Sequence, residues 1–232
     1  MSKTVVVHQP DFLPYLGFFH RFLHADVYVA LDHVQFVQRT AKAWTHRDKI
    51  KTRNGEAWLS LSVKKCPLDT AIKDVVLSDQ PAWKVSNLNL LRENYARAPF
   101  FRPVFSRLEG LYARPFERMA AFNLALIDLV CEWLNITIER VNSSELAADG
   151  RKSEMVAAIV DAVGGTRYLS GTGAAGYHDQ APFDARGIEV AWQRFEHPVY
   201  PQQFGDFIPY LSVVDALFNC GPDETAAMLR RL

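Results

Sequence analysis

Runs of apolar residues alternate with polar ones along the chain in a way that predicts short strands and longer helices. The segment Thr4–His8 contains the apolar run Val5–Val7 and stops before Pro10, which is typical of a buried strand. Residues 17–24 then show helical spacing, and residues 26–32 are apolar again. This order of strand, loop, helix and strand predicts the opening of a βαβ unit.

The same alternation continues to the C-terminus. Helical spacing follows Pro81, is strongest after Pro115, and recurs between Asp149 and the glycine pair at 164–165. Further strands are predicted at residues 56–63, 136–141, 167–171 and 188–195. We therefore predict an α/β fold in which residues 1–232 form a single domain. Its largely parallel sheet is flanked by helices, and a less regular insertion lies around residues 51–114.

Composition narrows the class of protein only slightly. Lys and Arg together number 26, as do Asp and Glu, so net charge does not indicate a nucleic-acid partner. The three cysteines are far apart and form neither a disulfide framework nor a zinc motif. No apolar run approaches the ~20 residues of a membrane span, and the N-terminus lacks a signal-peptide core. We expect a cytoplasmic protein without a membrane span.

The loop after the first strand, HQPDFLPYLGFFHR at residues 8–21, carries more chemistry than a turn needs. His8 and Gln9 stand at the carboxyl end of the strand, where open α/β sheets bind their ligands. Gly17 allows close backbone approach at a helix N-terminus, which favours an anion. We therefore predict that Gln9 and Gly17 bind substrate. The alternative is that the aromatic residues make this loop a packing brace.

A second polar region begins where the second predicted strand ends, at Asp32. His8 and Asp32 are the candidate acid/base residues, because each sits at a strand's carboxyl end and can exchange a proton. The cations that follow suit phosphate groups, and a tryptophan among them can stack on a base or sugar. The alternative is a solvated basic face. The predicted binding residues here are Gln35, Arg39, Trp44, Arg47 and Lys49.

The C-terminal half supplies a further polar group. A glycine-rich turn follows the strand at residues 167–171, and such turns can wrap a phosphate in backbone N–H groups, although a simple flexible turn is the alternative. A polar and aromatic loop, typical of pocket linings, precedes the last helix, and plain packing is its alternative. The predicted binding residues in these two segments are Ser170, Gly171, Tyr177, His197, Tyr200 and Asp206.

One pair of histidines has a spacing that metal ligands can use. His20 and His24 are four residues apart and share a face if the segment is helical. No pattern identifies a third ligand, so we predict no metal site. The sequence identifies no cofactor.

Two sets of motifs, one in each half of the chain, resemble the WbqC-like family of bacterial proteins. The first set is HQPDFLPYLGFFHRF, DVYVALDHVQF and WTHRDKIKTRNGEAWLSLSV; the second is YLSGTGAAGYHDQAPFDARGIEV and FEHPVYPQQFGDFIPYLSVVDALFNCGP. The family's motif residues correspond to Gln9, Pro10, Pro14, Gly17 and Phe18, and then to Asp32, Val34, Gln35, Phe36, Arg39 and Trp44. In the run HRDK, Arg47 and Lys49 match the family pattern, whereas His46 and Asp48 depart from it.

This resemblance implies a context more than a reaction. Members of the family are associated with gene clusters for O-antigen and other surface polysaccharides, which implies modification of a nucleotide-linked sugar. One hypothesis is a transferase that acts on an activated amino sugar or a similar anionic small molecule. Another is a binding module for a nucleotide sugar or a lipid-linked intermediate. A divergent nucleotidyltransferase-like enzyme is a third, although the full His-x-Gly-His is absent. Donor, acceptor and oligomeric state stay open.

Overall fold

The computed structural model describes residues 2–38 and 43–232, which divide into two compact units. We call the first the sheet unit; it comprises Met1–Gln9, Gly17–His33 and Ile136–Glu196. We call the second the helical unit; it comprises Pro10–Leu16, Val34–Asn135 and His197–Leu232. The assignment of residues 1–232 to a single domain stays a prediction.

Strands and helices alternate along the described chain. The strands are β1 (Thr4–His8), β2 (Val27–Ala30), β3 (Arg47–Thr52), β4 (Gly55–Ser60), β5 (Glu139–Asn142), β6 (Arg167–Ser170) and β7 (Glu189–Trp192). The helices are α1 (Leu16–Phe22), α2 (Ala82–Tyr95), α3 (Phe101–Ala113), α4 (Met119–Trp133), α5 (Lys152–Ala162), α6 (Ala181–Asp184) and α7 (Val213–Arg230).

Five strands of the sheet unit form one parallel sheet in the order β5-β2-β1-β6-β7. Val5 of β1 is in register with Val27 on one side and with Tyr168 on the other. The predicted α/β fold with a largely parallel sheet is confirmed, and β1, β2 and β6 end at one edge of that sheet. The chain winds outward from β1 in both directions, so the strand order reverses between β1 and β6.

Valine dominates the centre of this sheet because β-branched side chains fit a pleated surface that is covered on both faces. Val5 and Val27 are fully buried. One face packs against Ile159 and Val160 of α5. Gly164, with φ of +69°, ends that helix, and the next glycine lets the chain enter β6 directly beside Val5.

The helical unit contains α2, α3, α4 and α7 together with the antiparallel β3–β4 hairpin. The predicted insertion at residues 51–114 falls within it. Phe122 of α4 lies at the centre of its aromatic core, with ring centroids 6.4 Å from Phe12, 5.7 Å from Trp83 and 5.1 Å from Tyr112. Among the described residues, no helix has the length and apolar composition that crossing a bilayer requires.

Candidate functional site

The carboxyl ends of β1 and β6 bring four of the predicted site residues to the reversal point of the sheet. His8 ends β1 and is followed by Gln9; Ser170 ends β6 and is followed by Gly171. In open parallel sheets, ligands bind outside the carboxyl ends of the strands at this point. We call this edge the switch-point edge.

His8 has a defined tautomer at the switch-point edge. Its Nδ1 lies 3.0 Å from the carbonyl oxygen of Gln9. Because a carbonyl only accepts, Nδ1 carries the proton and Nε2 keeps a lone pair. Burial and the charge of Arg21 lower the pKa of His8 to about 3, so the ring is neutral near pH 7. The ring also meets Phe18 edge-on, with centroids 5.2 Å apart.

Arg21, on α1, is a buried cation that the sequence did not single out. Only 3% of its surface is exposed, and its guanidinium lies 5.6 Å from the ring centroid of Phe18. A Cβ built on Gly171 would lie 3.5 Å from the Nη1 of Arg21. The Gly171 backbone therefore lies against the buried guanidinium. No cluster of basic residues surrounds Arg21 in the sequence, so only the packing of α1 could reveal its role.

A buried amide fixes the start of α1 against the end of β7. The Nε2 of Gln193 donates to the carbonyl of Gly17 at 2.8 Å and to the Nδ1 of His20 at 3.1 Å. The Nε2 of His20 therefore carries the proton and donates to the Nε2 of His24, 3.3 Å away. Burial, His24 and Arg21 lower the pKa of His20 to about 4. Within residues 2–38 and 43–232, no group of three His, Cys, Asp or Glu side chains is arranged to hold a metal ion.

Asp32 lies just beyond β2 and joins the end of that strand to the segment that follows β5. One carboxylate oxygen accepts from the Ser143 hydroxyl at 3.0 Å and from the Ser144 N–H at 2.9 Å, and the other accepts from the Ser144 hydroxyl at 2.8 Å. Asp32 is 5% exposed. Three hydrogen bonds to one buried carboxylate make it a local anchor, and its predicted catalytic role stays a prediction.

The other predicted residues of the sheet unit follow β6. The Ser170 hydroxyl is buried and donates to the Gly171 carbonyl at 3.3 Å. Residues Thr172–Tyr177 form a short 3₁₀ helix, at whose end Tyr177 is 68% exposed. The glycine-rich turn is thus regular in structure, and the hydroxyl of Ser170 is turned toward its own backbone.

In the helical unit, the β3–β4 hairpin gathers three predicted residues around Trp58. The Arg47 guanidinium lies 4.3 Å and the Lys49 ammonium 5.3 Å from Trp58 ring centroids, and the Trp44 ring is 5.7 Å away. Lys49 is paired with Trp58 across the strands and also forms an ion pair with Glu56 at 2.5 Å. We call Trp44, Arg47, Lys49 and Trp58 the hairpin surface. Sequence reasoning missed Trp58, which only the hairpin register brings opposite the cations.

Two further predicted residues lie near this hairpin in the sequence. The Gln35 side chain donates to the carbonyl of Leu68 at 2.6 Å, and its backbone forms a bridge with Ala71, so it holds a loop. Arg39 lies outside the described residues. Of the two positions that depart from the family pattern, His46 meets Phe36 edge-on at 5.5 Å, and burial raises the pKa of Asp48 well above its ordinary value.

The loop from residue 197 to 212 is held by a buried carboxylate that the sequence did not suggest. Asp215 is fully buried and accepts from the hydroxyls of Tyr95 at 2.7 Å and Tyr200 at 3.0 Å, and from the Gln202 amide at 2.9 Å. Burial raises the pKa of Asp215, and these hydrogen bonds oppose that shift. Tyr200 is therefore a supporting residue of the loop.

The remaining loop residues differ in exposure. The Asp206 side chain is exposed, while its carbonyl and that of Gly205 accept from the buried Lys51 ammonium. His197 is half-buried, and its Nδ1 donates to the carbonyl of Pro198 at 2.9 Å. Burial lowers the pKa of His197.

Comparisons with known proteins agree with the motifs. The model of the WbqC-like protein family matches residues 9–227. The chain is 28% identical over 224 residues to the uncharacterized protein Rv1507c of Mycobacterium tuberculosis, covering 95% of each chain. No solved structure gives a significant match.

Proposed function

Because the chain belongs to the WbqC-like protein family, we propose that it is an enzyme of nucleotide-sugar metabolism that supplies surface-polysaccharide synthesis. In this proposal it is a transferase that modifies an activated sugar, such as an amino sugar, or a similar anionic small molecule. The family's association with polysaccharide gene clusters, implied by the resemblance, supports the substrate class.

The observation that carries the proposal is the switch-point edge. Arg21 supplies a fixed positive charge there, which suits a phosphate or carboxylate. The Gly171 backbone lies against that charge, and His8 is close enough for the charge of Arg21 to lower its pKa. An anion bound near His8 favours its protonated form and raises its pKa toward neutrality. His8 can then act as a general base once substrate is bound.

The proposed step follows from these groups. An acceptor amine or hydroxyl attacks the electrophilic carbon or phosphorus of an activated donor and forms the new bond. The Nε2 of His8 takes the proton that the nucleophile loses, and the donor's leaving group departs with the electron pair of its broken bond. Arg21 stabilises negative charge on the anionic substrate.

The hairpin surface in the helical unit is a second observation that favours a ligand with an anionic group and an aromatic ring. Arg47 and Lys49 supply charges for phosphate, and Trp44 and Trp58 supply aromatic faces for a base. We assign nucleoside diphosphate recognition to it. Replacing Arg47 by alanine should then weaken the binding of UDP and leave the melting temperature nearly unchanged. A large loss of stability with unaltered UDP binding would make Arg47 structural.

The catalytic proposal is tested with His8→Asn. The asparagine amide can still donate to the Gln9 carbonyl but lacks an equivalent of Nε2. Thermal-shift screening with UDP-, GDP- and dTDP-linked sugars identifies the ligand, and acyl, aminoacyl and nucleotidyl donors are then tested for product. We expect His8→Asn to bind like wild type and to lose about 100-fold or more in turnover. His24→Asn, on the same unit but before the amino end of β2, is the matched control. Unchanged turnover in His8→Asn would remove His8 as the base.

A second candidate function is a binding protein without chemistry. The low pKa of His8 favours it, because a weakly basic imidazole is a poor proton acceptor. The three hydrogen bonds of Asp32 also favour it, because they give that carboxylate a structural role. Binding of a nucleotide sugar without product from any donor would support this candidate over the transferase.

A further inference from the structure

Two distant segments of the helical unit share the tripeptide Pro-Tyr-Leu, at residues 14–16 and 209–211. The structure brings them side by side. Tyr15 forms an antiparallel bridge with Ser212, and the ring centroids of Tyr15 and Tyr210 are 6.0 Å apart. The leucines of both segments are buried. The two segments thus form a paired structure that presents a tyrosine from each.

Backbone strain is concentrated at this pair. Leu13 has φ of +45° and Tyr210 has φ of +59°, and Phe204, in the same loop as Tyr210, has φ of +61°. Side chains of this size rarely adopt positive φ, because Cβ crowds the carbonyl. Such strain persists only where the surroundings hold it, and it is concentrated at functional sites.

Hydrogen bonds from neighbouring residues hold this strained backbone in place. Ser212 is fully buried; its hydroxyl donates to the Leu13 carbonyl at 2.7 Å, and its N–H donates to the Lys49 carbonyl at 2.8 Å. The N–H of Val213 donates to the carbonyl of Pro14 at 3.1 Å. A more relaxed glycine at position 210 would fit the same backbone, so packing alone does not explain why a tyrosine stands there.

The side chain of Tyr210 is presented to solvent. It is 56% exposed, and its ring centroid lies 5.1 Å from that of His197 and 6.0 Å from that of Tyr15. We call Tyr15, His197 and Tyr210 the tyrosine platform. Among the described residues, no hydrogen bond engages the Tyr210 hydroxyl, and no lysine or arginine stacks on its ring.

The chemistry of the platform differs from that of the hairpin surface. Its exposed member, Tyr210, combines an apolar ring face with a polar hydroxyl. An anion finds no stacked cation on Tyr210. A pyranose has the complementary form, since one face of the ring presents C–H groups and its rim presents hydroxyls. Aromatic faces with a few polar groups are the usual lining of small-molecule sites.

We propose that the tyrosine platform binds a neutral pyranose ring. The assignment rests on the proposed function only for the class of ligand, a sugar. Rigid tyrosines suit this task because little side-chain entropy is lost when the sugar binds, and the strained backbone keeps the ring of Tyr210 directed outward.

The test compares wild type with Tyr210→Gly. The probes are the methyl glycosides of glucose, galactose, mannose and N-acetylglucosamine, measured by saturation-transfer NMR and calorimetry, with UDP as the charged reference. We expect at least one glycoside to bind wild type and Tyr210→Gly to weaken that binding by about tenfold or more, with UDP binding unchanged. The melting temperature should stay equal or rise, because glycine tolerates positive φ.

Leu68→Ala is the matched control, since Leu68 is an exposed apolar residue of the same unit, and we expect it to change neither measurement. The proposal is overturned if no glycoside binds wild type. It is also overturned if Tyr210→Gly binds the glycoside as wild type does, and a lowered melting temperature would then identify Tyr210 as a packing brace. Glycoside binding without turnover of any nucleotide sugar would refute the transferase and leave this site intact.

Discussion

Removing single hydroxyls from the Asp215 network should show how a buried carboxylate is held. Asp215 is fully buried and accepts three side-chain hydrogen bonds, two of them from Tyr95 and Tyr200. Hydrogen bonds to a charged group contribute about 1.5–3 kcal/mol each. Tyr200→Phe removes one of them, so we expect it to lower the free energy of unfolding by about 1.5–3 kcal/mol.

Tyr95→Phe should cost more, because its hydroxyl has two partners. Besides donating to Asp215, it accepts from the buried N–H of Lys51 at 3.0 Å. An unpaired buried donor adds about 1–3 kcal/mol, so we expect Tyr95→Phe to lower the free energy of unfolding by about 2.5–6 kcal/mol. The double variant should lose less than the sum. Each removed hydrogen bond raises the pKa of Asp215 further, and protonation of the carboxyl then limits the cost.

Urea unfolding at pH 7 measures these losses, and Tyr112→Phe is the control. Tyr112 is also buried, but among the described residues its hydroxyl accepts a hydrogen bond from the neutral Asn87 amide alone, at 3.5 Å. We expect the control to lose about 1 kcal/mol or less. Because the lost hydrogen bonds favour the charged form of Asp215, the deficit of Tyr200→Phe should shrink as pH falls through the pKa of that carboxyl. Equal losses for Tyr95→Phe and Tyr112→Phe would refute the reasoning.

Three further predictions follow from particular contacts. Gly165→Ala should lower the free energy of unfolding in urea by about 1–3 kcal/mol, because the new Cβ would lie 2.5 Å from a methyl of Val5. Gly110→Ala, in open space on α3, should raise it by up to about 1 kcal/mol, and equal effects of the two substitutions would contradict the packing argument. Asn123→Ala should lower the free energy of unfolding by about 2–5 kcal/mol in the same assay, because the buried carbonyls of Pro10 and Thr45 lose their amide donor. A loss below about 1 kcal/mol would show that these two hydrogen bonds do not stabilise the fold. The pKa of His20 is lowered from 6.5 to about 4 in the folded state, so folding favours the neutral ring, and the free energy of unfolding should fall as pH drops from 6.5 to 4. His20→Asn can still accept a hydrogen bond from Gln193, and its free energy of unfolding should fall less steeply over the same range. Parallel plots of unfolding free energy against pH for the two proteins would contradict this prediction.

The sequence alone predicted the strands of the sheet and the residues that stand at their carboxyl ends. Valine-rich runs determine β1 and β2 locally, and helices between parallel strands require all their carboxyl ends to lie at one edge. The positions of His8 and Ser170 at the switch-point edge therefore follow from their places as the last residues of β1 and β6. The first residue of helix α4 could not be predicted from its neighbours along the chain. The helix begins at Met119, after the predicted start at Pro115, because residues 117–119 make backbone hydrogen bonds to the segment around Val75.

Only the tertiary structure decided the charges and hydrogen bonds at each site. Arg21 reaches Gly171 because α1 packs along the sheet, although 150 residues separate them in the chain. Trp58 meets Arg47 through the hairpin register, and Asp215 meets Tyr95 across 120 positions. Strand and helix propensity depend on neighbours along the chain. The pKa of a buried group and the partners of a buried polar atom depend on neighbours in space, which only the folded chain brings together.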